Sequence, residues 1–349
     1  MTIASIFSGR SQRLSFHTAA VPDASPIIRR VVSDCEIEAL YENAPERVLN
    51  SDGQLSTYDR LIYYWSAKEF YSGNGTIVDA GALVGGSTCV LAEGLLNNAK
   101  TRPAKGCIHV YDLFVDQPDG YTAKLLRGWY EEERNGAKTY DFERHFRRNT
   151  TAYARLLTVH RGDIATIGYT GSRPIEILSI DVAKSADLMH YVAREFFPKL
   201  LTGHSVILHQ DYVFVLQPWL HIAMEMLSDL VDKVYDAPTF CTAVFVPAGP
   251  IREADVLDRL GRNGDAYFNL NNARYLYQAI EKAETHVGKI LLTASLAYFY
   301  LLMGRRRTAN LVARRLLDQY DVSAGLIART EMASLFQHEL GIDVSKICR

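Results

Sequence analysis

Thr76-Ile77-Val78-Asp79-Ala80-Gly81-Ala82-Leu83-Val84-Gly85-Gly86-Ser87-Thr88 is the stretch that decides the fold. A short apolar run reaches an acid, passes through a glycine-rich turn and enters Cys89-Val90-Leu91-Ala92-Glu93-Gly94-Leu95-Leu96. That order reads strand, turn, helix. An open α/β sheet uses it to bring a loop to a nucleotide-like ligand at the carboxyl end of its first strand. Gly81 suits a positive φ in the turn, and Gly85 and Gly86 suit close approach of a ligand to the backbone. A carboxylate at Asp79 favours a cationic group there and repels a pyrophosphate.

Working outward, the same alternation repeats. Leu61, Ile62, Tyr64, Trp65 and Phe70 predict an amphipathic helix over Tyr58–Tyr71, which Gly73-Asn74-Gly75 ends. Four further strands are predicted: Cys107–Tyr111 before Asp112, Leu156–His160 before Gly162-Asp163, Ile175–Ile180 before Asp181, and Ser205–Leu208 before His209-Gln210-Asp211-Tyr212. The charged, aromatic stretch from Gly120 to Asn149 reads as surface helices, and helices are expected over Ala186–Leu201 and Gln217–Leu230. Lys233–Tyr235 and Thr242–Val246 then resemble a closing strand pair.

Strands alternating with helices imply a Rossmann-like, doubly wound, mostly parallel α/β sheet with a closing antiparallel strand. After Pro250 five helical segments follow, over 252–260, 272–284, 289–303, 308–320 and 327–338. The organisation expected is an irregular lead-in over residues 1–55, a sheet domain over 56–249 and a helical extension over 250–349. The extension is placed to build a homodimer interface or to cap a pocket. Arg305, Arg306, Arg307, Arg314 and Arg315 within it read as a solvated helix face.

Bulk properties narrow the function. The 349 residues are 48% hydrophobic and 22% charged with a net charge of −2, which is an ordinary globular balance with no field for nucleic acid. Five scattered cysteines lack metal-type spacing and read as reduced thiols in a cytoplasm. The N-terminal ten residues break before a signal-peptide core forms. The longest apolar stretch, Ile290 to Met303, is shorter than a membrane span and carries polar groups. The expected partner is a small molecule, not a nucleic acid or a membrane.

Five strand ends would converge on one sheet edge with Asp79, Asp112, Asp163, Asp181 and the His209-Gln210-Asp211 run. Asp112 can accept hydrogen bonds from both hydroxyls of a ribose, and Asp163 from an adenine amino group. Any one of these acids alone is an ordinary cap or turn residue; their joint placement makes a site.

Val78-Asp79-Ala80-Gly81, then Gly85-Gly86-Ser87, resembles the first motif of class I S-adenosylmethionine-dependent methyltransferases. Its ending is similar to the macrocin O-methyltransferase-like family. Val110-Tyr111-Asp112-Leu113-Phe114 resembles that family's second motif, and Ile180–Ala186 and Ile207–Tyr212 stand where its later acidic motifs stand. The resemblance covers about Asn74 to Pro247. A dinucleotide dehydrogenase fits less well, because Gly-x-Gly-x-x-Gly is missing.

The resemblance implies that Asp79, Gly81, Gly85, Gly86 and Ser87 face the methionine end of S-adenosylmethionine, with Asp112 on the ribose and Asp163 on the adenine; Asp181 borders the same pocket. It implies transfer of a methyl group to an oxygen or nitrogen nucleophile of a small molecule, with a sugar or secondary-metabolite hydroxyl as the expected acceptor. The family's later motifs hold a divalent cation with paired acids. Here Asp181 is followed by Ala183 and Lys184, and the second pair is Gln210-Asp211. Asp181, Gln210 and Asp211 still offer oxygens to Mg²⁺, and an inward Lys184 would weaken that site. Without a metal, Asp181 or His209 is the candidate base, with Asp211 beside them. Tyr212, Trp219 and His221 lie where an acceptor could rest. The alternative is a methyltransferase-fold binding or scaffold module without catalysis.

Overall fold

The computed structural model describes residues 41–133, 136–236, 242–320, 322–323, 326–327 and 332–342. Most of the lead-in therefore lies outside the described residues, as does part of the last predicted helix. Seven strands form the main sheet. They are β1 (Thr76–Ala80), β2 (Ile108–Asp112), β3 (Leu157–Arg161), β4 (Ile175–Ile180), β5 (Val206–His209), β6 (Val231–Asp236) and β7 (Ala243–Pro247).

Their spatial order is β3-β2-β1-β4-β5-β7-β6. All neighbours from β3 to β5 pair in parallel, while β7 runs antiparallel to both β5 and β6. This is the Rossmann-like α/β sheet that the alternation predicts. The order turns around β1, which puts the topological switch point at the carboxyl ends of β1 and β4.

The longer helices of the sheet domain among the described residues are α1 (Thr57–Trp65), α2 (Gly86–Leu96), α3 (Tyr121–Tyr130), α4 (Glu143–Asn149), α5 (Ala186–Phe196) and α6 (Pro218–Met226). The extension adds α7 (Glu253–Leu260), α8 (Ala273–Lys282), α9 (His286–Leu302) and α10 (Arg306–Gln319). Helices α1 and α5 start within one residue of where the sequence placed them, whereas α9 starts at His286, ahead of the expected position 289. Ser56 and Asp59 form a reciprocal capping box at α1, and the Ser185 and Thr285 hydroxyls cap α5 and α9. The helix predicted to run to Tyr71 instead changes to a π-helical turn over Ser66–Phe70.

Strand alternation sends side chains to two cores. Val78, Ala80, Leu178, Ile180 and Ile207 pack with α5, α6 and the helices of the extension in one apolar cluster. Ile77, Val110, Ile177 and Leu208 pack with α1 and α2 in the other. The extension thus shares a core with the sheet domain. On the second face α1 and α2 meet backbone to backbone: a Cβ on Gly94 would lie 2.3 Å from the Tyr64 carbonyl oxygen.

A small hairpin that the sequence did not signal pairs Val115–Asp116 with Tyr140–Asp141 beyond the end of β2. No helix among the described residues is long and apolar enough to cross a membrane.

Candidate functional site

Asp79 is the penultimate residue of β1, on the face of Ile77, and is 0% exposed. Its Oδ2 accepts hydrogen bonds from the Ser87 and Thr88 hydroxyls in the first turn of α2, at 2.9 and 2.6 Å. Its Oδ1 has no hydrogen-bond partner among the described residues. The Ser179 hydroxyl on the neighbouring strand donates instead to the Tyr63 hydroxyl, at 3.1 Å. Burial raises the Asp79 pKa, opposed by its hydroxyl donors. Ser87, expected on a cofactor, thus spends its hydroxyl on Asp79.

The turn after β1 also differs from expectation. Gly81 and Gly85 do take left-handed φ values, 97° and 94°. Yet a Cβ on Gly81 would lie 2.8 Å from the Asp181 carbonyl carbon, so this turn rests on the one after β4. A Cβ on Gly85 would meet Thr150 Cγ2 at 2.6 Å, and one on Gly86 the Asp52 carbonyl oxygen at 2.2 Å. The sequence reading assigned the close approach at Gly85 and Gly86 to a ligand. In the structure the chain's own segments around Asp52 and Thr150 make that approach, because both fold over the turn.

Asp112, the last residue of β2, is half-buried. Its Oδ2 accepts the Leu83 N–H and its Oδ1 the Phe114 N–H, both at 2.8 Å. Leu83 and Phe114 are left-handed at φ 49° and 55° despite carrying side chains. The carboxylate therefore ties the turn after β1 to the turn after β2. Burial pushes its pKa up to about 6, against the pull of these backbone donors and with a further push from the Asp79 charge. Asp163 is exposed and caps the one-turn helix Ile164–Ile167 through the Ala165 N–H, at 2.9 Å.

At the ends of β4 and β5 the arrangement changes. Lys184 Nζ bridges Asp181 Oδ1 and Asp211 Oδ2. The side chains are 50% exposed for Lys184, 27% for Asp181 and 15% for Asp211, so the ammonium lies over the two carboxylates on the solvent side. Burial raises the Asp181 pKa and the Asp211 charge adds to this, while the Lys184 ammonium opposes it. The two carboxylates hold the Lys184 pKa above its ordinary value despite desolvation. Trp219, placed by the sequence where an acceptor could rest, donates its indole N–H to the Ala183 carbonyl at 3.0 Å and so fixes the turn that carries Lys184. Gln210 is buried, with its N–H on the Ile180 carbonyl at 3.0 Å.

His209 is the last residue of β5 rather than a loop residue, and shares the face of Ile207. It is 0% exposed, neither ring nitrogen has a partner among the described residues, and burial depresses its pKa to about 3. Tyr212 and His221 are equally enclosed and pack edge to face, 5.2 Å between centroids. These three residues are core, not lining, and His209 is poorly placed to act as a base.

Sequence reasoning missed Thr88, Leu83, Phe114, Tyr63 and Ser179. The first could have been found as a second hydroxyl in the opening turn of a helix that follows an acid. The backbone donors leave no mark on residue type.

Two of the acids at this edge keep acceptor capacity. The partnerless Asp79 Oδ1 is a buried acceptor that a cationic donor would satisfy, and Asp112 keeps lone pairs beyond its two backbone donors. Mg²⁺ fits poorly. The two carboxylates expected to hold it already share an ammonium, and no group of three or more His, Cys, Asp or Glu among the described residues is placed to hold a metal. Two cavities of about 220 and 260 Å³ lie elsewhere, one against α4 and β3 and the other beside β6 and Lys282; neither is lined by Asp79, Asp112 or Asp181. No protein-family model and no curated protein matches the chain.

Proposed function

We propose that the protein is an S-adenosylmethionine-dependent methyltransferase acting on a small molecule, with a hydroxyl as acceptor. The observation that carries this reading is the Asp112 clamp. Two residues with side chains are held left-handed, at a cost of about 1–3 kcal/mol each, and both aim an N–H at one carboxylate at the carboxyl edge of the sheet. Strain of that kind persists where the surroundings over-determine it, and here it preorganises a hydrogen-bond acceptor beside the glycine turn.

In this proposal Asp112 accepts from ribose hydroxyls, Asp79 and the Gly81 turn receive the methionine end, and Asp163 keeps an exposed oxygen for the adenine amino group. Bound there, S-adenosylmethionine would supply an electrophilic methyl group, whose bond to sulfur breaks as the acceptor oxygen forms its own. The protein positions the acceptor, and the Asp181 carboxylate takes the hydroxyl proton. Asp181 is preferred to His209 because it is partly exposed at the edge, whereas His209 is enclosed.

Calorimetry of the full chain with S-adenosylmethionine tests the reading. Binding is expected, weakened about tenfold or more by Asp112→Ala through loss of charge-assisted hydrogen bonds. No heat at high micromolar ligand overturns it. Binding with no methyl transfer to any of a panel of hydroxylated acceptors would favour the binding-module alternative.

A further inference from the structure

We propose that Lys184 stands in for a divalent cation: its ammonium holds the Asp181 and Asp211 carboxylates together and keeps metal ions out of the site. This deepens the reading of that edge as a transfer site, but the geometry on which it rests is independent of any cofactor.

Two carboxylates at the ends of adjacent parallel strands repel one another unless a positive charge lies between them. A hard cation with oxygen ligands is one solution. This chain carries another on its own backbone. Lys184 lies three residues past Asp181, its Nζ reaches one oxygen of each acid, and the three side chains become more exposed in the order Asp211, Asp181, Lys184.

The turn that presents the lysine is fixed from several sides. The Lys184 N–H donates to the Val182 carbonyl at 2.7 Å, and the Trp219 indole holds the Ala183 carbonyl at 3.0 Å. Gly81 leaves no room between the turn after β1 and the Asp181–Val182 peptide. A metal ion approaching the acids would have to expel an ammonium seated on both and then stand against its charge. Val182 and Ala183, between Asp181 and Lys184, offer no oxygen from their side chains.

An ammonium has three N–H donors and no acceptor. Two of them are engaged by the acids, so the third can be donated to an acceptor oxygen. The chain would thus orient a hydroxyl and stabilise charge developing on it without a Lewis acid.

Metal uptake measured on the full chain, without S-adenosylmethionine, decides the matter. Mn²⁺ is titrated and followed by its electron paramagnetic resonance signal in wild type, Asp181→Asn, Lys184→Ala, Lys184→Arg and Lys184→Ala/Asp181→Asn, each checked by circular dichroism. Wild type and Lys184→Arg are expected to leave Mn²⁺ free. Lys184→Ala is expected to bind it, and adding Asp181→Asn to lower that affinity by roughly 10–100-fold. Mn²⁺ uptake by wild type that Asp181→Asn abolishes would overturn the proposal, as would equal uptake by wild type and a folded Lys184→Ala. Should Lys184→Ala not fold, Lys184→Gln, which keeps a long polar side chain without the charge, takes its place, and its failure to bind Mn²⁺ would equally overturn the proposal. A failure to bind S-adenosylmethionine would leave these outcomes unchanged, so the two readings fail separately.

Discussion

Two parts of the same sheet edge neutralise their acids by different means. Around β1 and β2, Asp79 and Asp112 are held by hydroxyls and N–H groups of helix α2 and the two turns, at 2.6–2.9 Å. Around β4 and β5, Asp181 and Asp211 are held by one flexible, half-exposed lysine side chain. The first part is part of the fold, since moving a carboxylate would unseat the turns that it ties. The second can rearrange at the cost of one rotamer. In the proposed reading the first part would hold the cofactor and the second would face the acceptor.

The largest effect expected from breaking this contrast is on stability. Asp79→Ala strands two hydroxyls that the helix turn buries, at a cost of about 2–4 kcal/mol. Asp181→Ala removes one side of a partly exposed ion pair and should cost about 1 kcal/mol or less. Urea unfolding of the two variants against wild type measures the difference. Equal midpoints would erase the distinction between the two parts.

Residue type revealed the fold far better than it revealed the satisfaction of the acids. Apolar runs such as Ile175–Ile180, ending at Asp181, fix strand positions because burial on both faces demands them. The acids at strand ends were therefore legible as a group. Their partners were not, because a backbone N–H donor such as that of Phe114 has no signature in sequence. Gly85 and Gly86 were legible as points of close approach, but not as to what approaches. The residues that cover them lie near positions 52 and 150, far away in the chain. His209 was misread through a shift of one residue in the end of β5. The side chain thus belongs to the strand and follows Ile207 into the core instead of standing in the turn beyond.

A smaller effect sharpens the contrast through pH. The Asp112 pKa of about 6 exceeds the value of about 4 for an unperturbed aspartate. The folded protein thus holds this proton more tightly than the unfolded chain. The stability contributed by the group is complete below about pH 4 and is lost as the pH rises through about 6. Ligand binding should run the other way, because the ionised form is the better acceptor for ribose hydroxyls. S-adenosylmethionine affinity is expected to rise about tenfold from pH 5 to pH 7, as the ionised fraction does, and to lose that slope in Asp112→Asn. A slope kept by Asp112→Asn would assign the titration to another group.

The smallest effect belongs to His209, and its smallness is the point. An imidazole that is fully enclosed, partnerless and depressed to about pKa 3 stays neutral across the range in which enzymes work. With its basicity lowered that far, and enclosed from any acceptor, it is a poor base for a hydroxyl near pH 7. Replacing it with leucine removes two buried nitrogens that have no hydrogen-bond partner and keeps an apolar side chain on the Ile207 face. Stability should be unchanged or slightly higher, and the pH profile of methyl transfer should keep its shape. Asp181→Asn should instead remove the limb that reports the base, because the base is assigned to the edge and not to the core. If His209→Leu flattened the profile and Asp181→Asn did not, the reacting group would lie on the Ile207 face. The part of the edge closed by Lys184 would then be structural.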